Sequence, residues 1–167
     1  MIAQLLLFAQ AGTAATAAPS CRREEGRFVY FGPARDCKPW LAPRRHSGVW
    51  LYEFEGSRFV EGARTLAEAL AEPPYGARVK WFSFDVRSRL AAGCRPVLGQ
   101  AYLIEFMGRD AAPLPAGEHG IGGGFGHMGM WSGEVLLDDV TKVRGLGPLP
   151  GMQVRPAGAM PTCTSSG

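Results

Sequence analysis

The sequence predicts a mainly β fold, either a small antiparallel barrel like the oligonucleotide/oligosaccharide-binding (OB) barrels or a compact sandwich, with one short helix. Three observations predict this class: short segments alternate polar and apolar residues, most of the large aromatic residues fall inside them, and glycines and prolines separate them. The length of 167 residues suits one domain. A composition of 46% hydrophobic and 20% charged residues provides for a packed core.

The predicted strands lie mainly between Gly48 and Val143. In the first strong strand, residues 49–55, Trp50, Tyr52 and Phe54 fall on one face, and residues 57–60 are expected to continue it past a bend at Gly56. A further β-prone segment precedes it, and three more strands follow, the second of them ending at Gly108. These segments are residues 27–31, 79–86, 101–107 and 134–143.

A short helix is predicted between the first two strong strands. Thr65-Leu66-Ala67-Glu68 has the form of a capping box, in which both side chains satisfy free amides at a helix start. Leu66 and Leu70 are expected to share a buried face. Pro73-Pro74 ends the helix after about two turns. An OB-like barrel does not usually keep its helix at this position, so the exact topology stays open.

The first residues predict the compartment. Residues 1–17 carry no charged side chain, contain the apolar run Leu5-Leu6-Leu7-Phe8, and end in a small-x-small pattern at Ala15 and Ala17. These are features of a signal peptide, although the usual basic region is missing, and an N-terminal helix packed on the domain is the alternative. We therefore expect a periplasmic or extracellular bacterial protein with a single β-rich domain at 18–146. An irregular tail, rich in proline and glycine, is expected at 147–167.

The four cysteines agree with export. Cys21, Cys37, Cys94 and Cys163 all follow the expected cleavage point, and an even count in a small exported chain favours disulfides. Three complete pairings exist. The preferred pairing joins Cys21 to Cys37 across a local hairpin-like loop and Cys94 to Cys163. Four free thiols in a reducing cytosol are the alternative. No C-x-x-C spacing occurs, so no redox motif is indicated.

Charge and composition argue against several partners. Residues 22–45 hold seven basic and three acidic side chains, a net charge of +4 in a chain of net charge +3. The acids are interleaved with the bases, so a solvated surface explains this arm better than binding to phosphate, and nucleic acid is not an expected partner. No apolar run reaches the roughly 20 residues of a membrane span. There is no Asn, and hence no N-glycosylation site.

Catalytic motifs are absent from the sequence. No P-loop, dinucleotide fingerprint or G-x-S-x-G nucleophile elbow occurs, so no catalytic residue and no cofactor is predicted. Paired acids such as Glu53 with Glu55 are better explained as exposed strand residues than as a glycosidase pair. Oxidised cysteines would not serve as nucleophiles.

The glycine-rich segment 111–129 supplies two of the candidate binding residues, His119 and His127. With Glu118 or His46 they could approach a metal, but their spacing matches no standard site, so no metal is predicted. The other interpretation is that His127 bonds a nearby carbonyl and fixes the loop.

Aromatic residues supply the other candidates. Trp50, Trp81 and Trp131, with Tyr52 and Phe82, could form a stacking platform for bases or sugars. At alternating strand positions such rings more often belong to a core, because the burial of large rings stabilises small domains. The sequence leaves both interpretations open.

One pattern resembles a known group of sequences. Tyr102-Leu103-Ile104-Glu105-Phe106-x-Gly108-Arg109 is followed by Gly126-His127-Met128-Gly129 and by Glu134-Val135-x-Leu137-Asp138. The combination resembles uncharacterised exported small β-domain proteins of bacteria, in which an aromatic segment like Gly48 to Phe59 comes earlier. The resemblance spans residues 47–146. It implies an exported β-rich domain and brings no activity with it.

The functional prediction combines these points. We expect an exported, non-catalytic module that binds a small ligand or an envelope component, without identifying that ligand. The alternative is a small hydrolase that uses His127 with a nearby carboxylate or metal. Loss of a hydrolytic activity in the variant His127→Ala would favour the enzyme.

Overall fold

The structure is a computed structural model that describes residues 22–25, 28–31, 34–54, 56–90, 95–113 and 124–152. Several predictions fall outside these ranges: the signal peptide at 1–17, the candidate residue His119, and Cys21, Cys94 and Cys163 of the disulfides. The side chain of Cys37 is outside them too. In the described ranges, no helix is both long enough and apolar enough to span a membrane.

The described chain is mainly β, as predicted. Its elements, in chain order, are β1 (Arg22–Glu25), β2 (Phe28–Phe31), α1 (Ala34–Cys37), β3 (Arg44–Tyr52), β4 (Arg58–Glu61), α2 (Leu66–Ala71), β5 (Val79–Ser83), β6 (Gln100–Asp110), a 3-10 turn (His127–Gly129) and β7 (Glu134–Pro148). Strands β1 and β2 form a separate antiparallel hairpin.

Strands β3 to β7 close into a five-stranded barrel in the order β3-β4-β5-β7-β6, with β6 paired back to β3. All pairs are antiparallel except β5 with β7, which is parallel. The barrel prediction is therefore confirmed over the sandwich, and five strands is the number found in OB-like barrels. Closure leaves these strands without an open edge. Helix α2 connects β4 to β5, at the position that the sequence indicated.

Large side chains fill the interior of the barrel. They come from alternating positions of all five strands, as the period of two requires. The buried set consists of Trp50, Phe59, Phe82, Tyr102, Ile104, Phe106, Val135 and Leu137. The indole Nε1 of Trp50 donates a hydrogen bond to Ser57 Oγ at 2.9 Å, so the one polar atom of this ring is satisfied inside the core.

A second core covers the outside of β3, β4 and β5. The outward residues of these strands, such as Val49, Val60 and Val79, are packed beneath Ala69 of α2 and beneath the loop that carries Phe125 and Trp131. Helix α2 begins as predicted, since Thr65 Oγ1 accepts a hydrogen bond from the Glu68 amide at 3.1 Å. The Glu68 carboxylate accepts from the amide of Arg64.

The structure corrects the expected side-chain burial at three positions. Phe54 is 72% exposed because β3 ends at Tyr52, where a turn leads into β4. Val86 is 96% exposed because β5 ends at Ser83. On α2, Leu70 is exposed and Ala69 is buried instead, so the helix turns its Ala69 face to the barrel, with Leu66 packed partly buried against the same core. That last contact is the kind that a short helix needs for its stability.

Two strand ends also differ from the prediction. Strand β6 continues through Gly108 to Asp110, because a Cβ at Gly108 would lie 2.6 Å from the Leu136 carbonyl oxygen, so glycine lets β6 and β7 approach. Strand β7 reaches Pro148, and Leu149 behind it is buried, so ordered structure extends into the predicted tail. Three register shifts along the β6–β7 pairing bend these long strands around the barrel.

Candidate functional site

One end of the barrel interior holds a group of charged residues, which we call the barrel-end cluster. It consists of Arg44, His46, Glu61, Lys80 and Asp110, from strands β3, β4, β5 and β6. Lys80 Nζ donates to Glu61 Oε2 at 2.5 Å and to Asp110 Oδ1 at 2.7 Å. Arg44 donates to the other oxygens of the same two carboxylates, at 2.8 Å and 2.7 Å. Two cations therefore balance two anions.

His46 closes this cluster on the core side. Its side chain is fully buried and stacks on Phe106 with ring centroids 4.9 Å apart, and its Nδ1 lies 3.3 Å from Glu61 Oε1. One ligand atom each of His46, Glu61 and Asp110 lies within 4.8 Å of the others, a spacing that could suit a metal. However, the Lys80 ammonium bridges both carboxylates, so a cation already neutralises the negative charge that would attract a metal ion. The cluster fits a structural ion network.

Electrostatics keeps both carboxylates of the cluster ionised. The hydrogen bond with His46 is the largest influence on Glu61, and with Lys80 and Arg44 it holds the pKa of Glu61 well below its usual range, against the opposing effect of burial. For Asp110, burial acts to raise the pKa, but the hydrogen bonds from Lys80 and Arg44 lower it overall. Charge pairing therefore stabilises this end of the barrel at neutral pH.

A cleft of about 300 Å³ opens on the outer face of the barrel, and we call it the Trp131 cleft. It lies at the opposite end of the β3–β4 hairpin from Glu61, because Gly48 pairs with Glu61 whereas Leu51 pairs with Arg58. Three connections contribute to it: the β3–β4 turn, the α2–β5 loop and the loop at 125–131. The lining residues are Glu53, Gly56, Arg58, Pro74, Tyr75, His127, Met130 and Trp131.

The loop at 125–131 is closed by its own backbone and packed against Trp81 of the barrel. Phe125 and Trp131 exchange backbone hydrogen bonds of 2.9 Å and 3.2 Å, and the 3-10 turn lies between them. Gly126 has φ +71°, and a Cβ there would lie 2.5 Å from the Trp81 ring. Only glycine combines this positive φ with such a close approach. Met128 also has a positive φ, of 56°, which is uncommon for a residue with a side chain.

Aromatic rings form the floor of the cleft. Trp131 is 5% exposed and meets Trp81 edge to face at 4.7 Å and Tyr75 edge to face at 5.5 Å. Its buried Nε1 has no hydrogen-bond partner among the residues that the structure describes. Tyr75 is half exposed, and its hydroxyl donates to the Met130 sulfur at 3.7 Å. A ligand would therefore meet a largely apolar surface formed by rings that stand edge to face.

The polar residues of the cleft differ in how they are engaged. Arg58 donates to both carboxylate oxygens of Glu53, at 2.6 Å and 2.7 Å, a bidentate pair of fixed geometry. His127 is exposed and makes no hydrogen bond or ion pair within the described part of the chain. The expected bond from His127 to a nearby carbonyl is thus absent there. The cleft offers one free imidazole beside one paired carboxylate.

The structure brings together some of the sequence-predicted residues and separates others. His127 and Trp131 line the same cleft, and Trp81 lies behind Trp131. Trp50 is buried in the barrel interior, 1% exposed. His46 belongs to the barrel-end cluster. Sequence reasoning missed Tyr75 as a cleft residue, since an aromatic residue in a loop after Pro73-Pro74 carries no pattern that assigns it to a site.

Comparison of the chain with protein-family models, with curated proteins and with solved structures finds no match. The resemblance to exported bacterial proteins stays a prediction. Any function therefore has to be argued from the geometry of the cleft and the cluster.

Proposed function

We propose that the protein is an exported, non-catalytic binding module of the bacterial envelope, and that its ligand occupies the Trp131 cleft. The observation that carries the proposal is the convergence of two loops on one open concave surface: His127 and Trp131 come from the loop at 125–131, and Tyr75 comes from the α2–β5 loop. Loops held on a rigid scaffold are where binding residues concentrate. Concave, mainly apolar surfaces with a few polar groups are typical of small-molecule sites.

Other parts of the described molecule are less suited to a ligand. The barrel interior is filled by aromatic side chains that are almost fully buried. In the barrel-end cluster, each carboxylate already accepts hydrogen bonds from two cations. The cleft differs because Tyr75, His127 and Met130 are exposed while Trp131 fixes its floor.

The state of its polar residues favours binding over catalysis. A histidine that acts as a general base is normally oriented by a partner on its other nitrogen. His127 has no such partner in the described ranges. Glu53, the carboxylate of the same cleft, accepts from Arg58 on both of its oxygens. Neither oxygen of this carboxylate is therefore free to orient the imidazole.

The second candidate function is a small hydrolase, and one observation favours it: His127 and Glu53 line the same cleft. A ligand that displaced Arg58 could free the carboxylate to orient the imidazole. In that case the variant His127→Ala would abolish turnover of a model ester such as p-nitrophenyl acetate. Turnover equal in both proteins would exclude this candidate for ester substrates.

A screen by NMR tests the binding proposal. The isotope-labelled full chain is titrated with N-acetylglucosamine, glucose, indole and p-cresol as probes. We expect at least one probe to shift the Trp131 indole resonance and the amides of residues 126–131. The variant Tyr75→Ala should lose this response. Phe84→Ala, which removes another exposed ring outside the cleft, should keep it.

Two results would contradict the proposal. One is that none of these probes moves the cleft resonances at millimolar concentration. The other is that Tyr75→Ala keeps the response to the probes, as the control Phe84→Ala should, since the ligand would then bind elsewhere.

A further inference from the structure

The 3-10 turn at the edge of the cleft carries an unusual set of side chains. His127-Met128-Gly129-Met130 places one imidazole and two thioethers within four residues. Met128 is 55% exposed and Met130 is 43% exposed, although methionine is more often buried. These side chains therefore contribute little to the core and are open to solvent.

The backbone directs two of these side chains to the same place. The chain reverses at the left-handed Met128, which has φ 56°, and His127 and Met130 on either side of it both line the Trp131 cleft. The hydrogen bond from the Tyr75 hydroxyl locates the Met130 sulfur inside the cleft, 3.7 Å from that oxygen. Met128 lies between them in the sequence and outside the lining of the cleft, and its long side chain can adopt many conformations.

The chemistry of these groups selects a class of ion. Thioether sulfur is a soft ligand that favours Cu(I), and imidazole is also a good ligand for copper. Hard cations such as Mg²⁺ and Ca²⁺ require oxygen ligands, and Glu53, the one carboxylate among the described residues of the cleft, is paired with Arg58. Neutral ligands leave a monovalent ion its charge, which the faces of aromatic rings attract.

We propose that the Trp131 cleft binds Cu(I), with the His127 imidazole and the Met130 sulfur as ligands and the Met128 sulfur completing the set. This inference rests on the proposed binding function and names its ligand as a soft monovalent metal ion. Coordination would also give the exposed His127 the partner that it lacks in the described part of the chain.

The test uses the full chain, with all accessible thiols blocked by N-ethylmaleimide so that cysteine cannot bind the metal. The methionine methyl groups are labelled with ¹³C. The probes are Ag(I), which is a redox-stable equivalent of Cu(I), and Cu(I) itself without oxygen. We expect the methyl signals of Met128 and Met130 to shift at one equivalent of metal. The signal of Met107, an exposed methionine on β6, should stay in place.

Matched variants supply the affinities. Loss of a residue that only supports a metal ligand already weakens metal binding roughly 10–100-fold. Competition with bicinchoninate should therefore show that Met130→Leu and His127→Gln, which each remove a ligand, weaken Cu(I) binding by at least that factor. Met107→Leu should bind like the unaltered protein. A Met107 shift equal to that of Met130, or affinity retained in Met130→Leu, would overturn the proposal.

The outcomes also separate this inference from the proposed function. If the organic probes occupy the cleft but Ag(I) moves neither methionine, the metal assignment fails and the binding function stands. If no organic probe reaches the cleft but Ag(I) shifts Met128 and Met130, binding of an organic ligand fails and the metal assignment stands. If neither the organic probes nor Ag(I) reaches the cleft, both fail. Zn²⁺ binding as tightly as Ag(I) would also overturn the assignment, because the soft sulfur ligands would then not be selecting the ion.

Discussion

The barrel-end cluster and the Trp131 cleft lie at opposite ends of the β3–β4 hairpin. Each contains a histidine, at least one carboxylate and at least one cationic side chain, yet the two regions differ in how these groups are partnered. In the cluster, Lys80 bridges Glu61 and Asp110, and His46 is buried on Phe106. In the cleft, His127 is exposed and unbonded within the described ranges, next to the exposed Met130. The first region has its charges paired, and its His46 Nε2, which has no partner among the described residues, is buried; the second presents its ligand residues to solvent.

This difference shows why residue type alone is a poor guide to function. A histidine near two carboxylates looks more like a metal site than a histidine near two methionines does. Yet buried ionised groups must be paired, and the pairing uses the capacity that a ligand would need. The predictions below test this contrast between a region specialised for stability and a region available for binding.

The largest effect is expected from Lys80→Met. It removes the ammonium between Glu61 and Asp110 and leaves two carboxylates with Arg44 alone. Breaking a buried ion pair lowers the free energy of unfolding by roughly 3–5 kcal/mol. Because the Lys80 pairs are partly exposed, we expect a loss of about 3 kcal/mol. Urea unfolding measures it.

Lys142→Met is the matched control for that measurement, because Lys142 is 73% exposed and 3.9 Å from Glu105. Its cost should stay below about 0.5 kcal/mol. Equal losses in the two variants would mean that the cluster is no more than a surface ion pair.

The next largest effect is expected from Gly126→Ala. The added Cβ would meet the Trp81 ring at a positive φ, so the loop must shift, and the loss should be about 2 kcal/mol. Gly62→Ala is the control, since Gly62 also has a positive φ, of +80°, but has open space around it. The control isolates the backbone cost, about 1 kcal/mol.

Thermal unfolding would compare the two glycine variants, and the NMR probes would report whether the cleft survives. If Gly126→Ala lowers the free energy of unfolding by no more than Gly62→Ala does, the close approach of Gly126 to Trp81 does not fix the position of the loop.

A smaller effect is expected from pH. Because the folded state lowers the pKa values of Glu61 and Asp110, their contribution to stability is complete above the ordinary values of 4.5 and 3.8. It is lost as the pH falls through the lowered values. Between about pH 5 and pH 2 we expect a loss on the order of 1–2 kcal/mol, reduced by solvent screening of these partly exposed groups.

Glu61→Gln should remove part of this slope in a series of urea titrations, while the surface variant Glu105→Gln should leave it in place. An unchanged slope in Glu61→Gln would show that other groups cause the acid sensitivity.

The smallest effect on stability is expected in the cleft itself. His127→Ala and Met130→Leu should each change the free energy of unfolding by less than about 0.5 kcal/mol, because both residues are exposed. The same urea assay measures this. A loss above about 1 kcal/mol for His127→Ala would assign His127 a structural role and remove the contrast with Lys80.

Local signals in the sequence located most of the secondary structure. Alternation with period two placed strands at most of the barrel positions, and the Thr65–Glu68 pattern located the start of α2. The expected continuation of the first strand at residues 57–60 was wrong, because these residues form β4 and pair antiparallel with β3. The strand ends were harder to predict. Whether β3 stops at Tyr52 or continues to Glu55 depends on where the barrel closes, and Gly108 continues β6 because its neighbour Leu136 lies so close.

The site was predictable in part. His127 and Trp131 could be named because histidine and tryptophan are few and carry recognisable chemistry. Tyr75 and Arg58 could not, because one reaches the cleft from the α2–β5 loop and the other from the start of β4, and the relative placement of these segments depends on long-range pairing. The pairing of Lys80 with Asp110, 30 residues away in the chain, is of the same kind.

By itself, the sequence determined the β class, the period of two, the short helix and the types of chemistry on offer, since these depend on neighbouring residues. Only the tertiary structure decided which face of each strand became the interior. Barrel closure buried Trp50, matched the charges around His46 and left His127 and Met130 exposed. Alternation defines two faces of a strand, but only the pairing of distant strands selects the face that is removed from water.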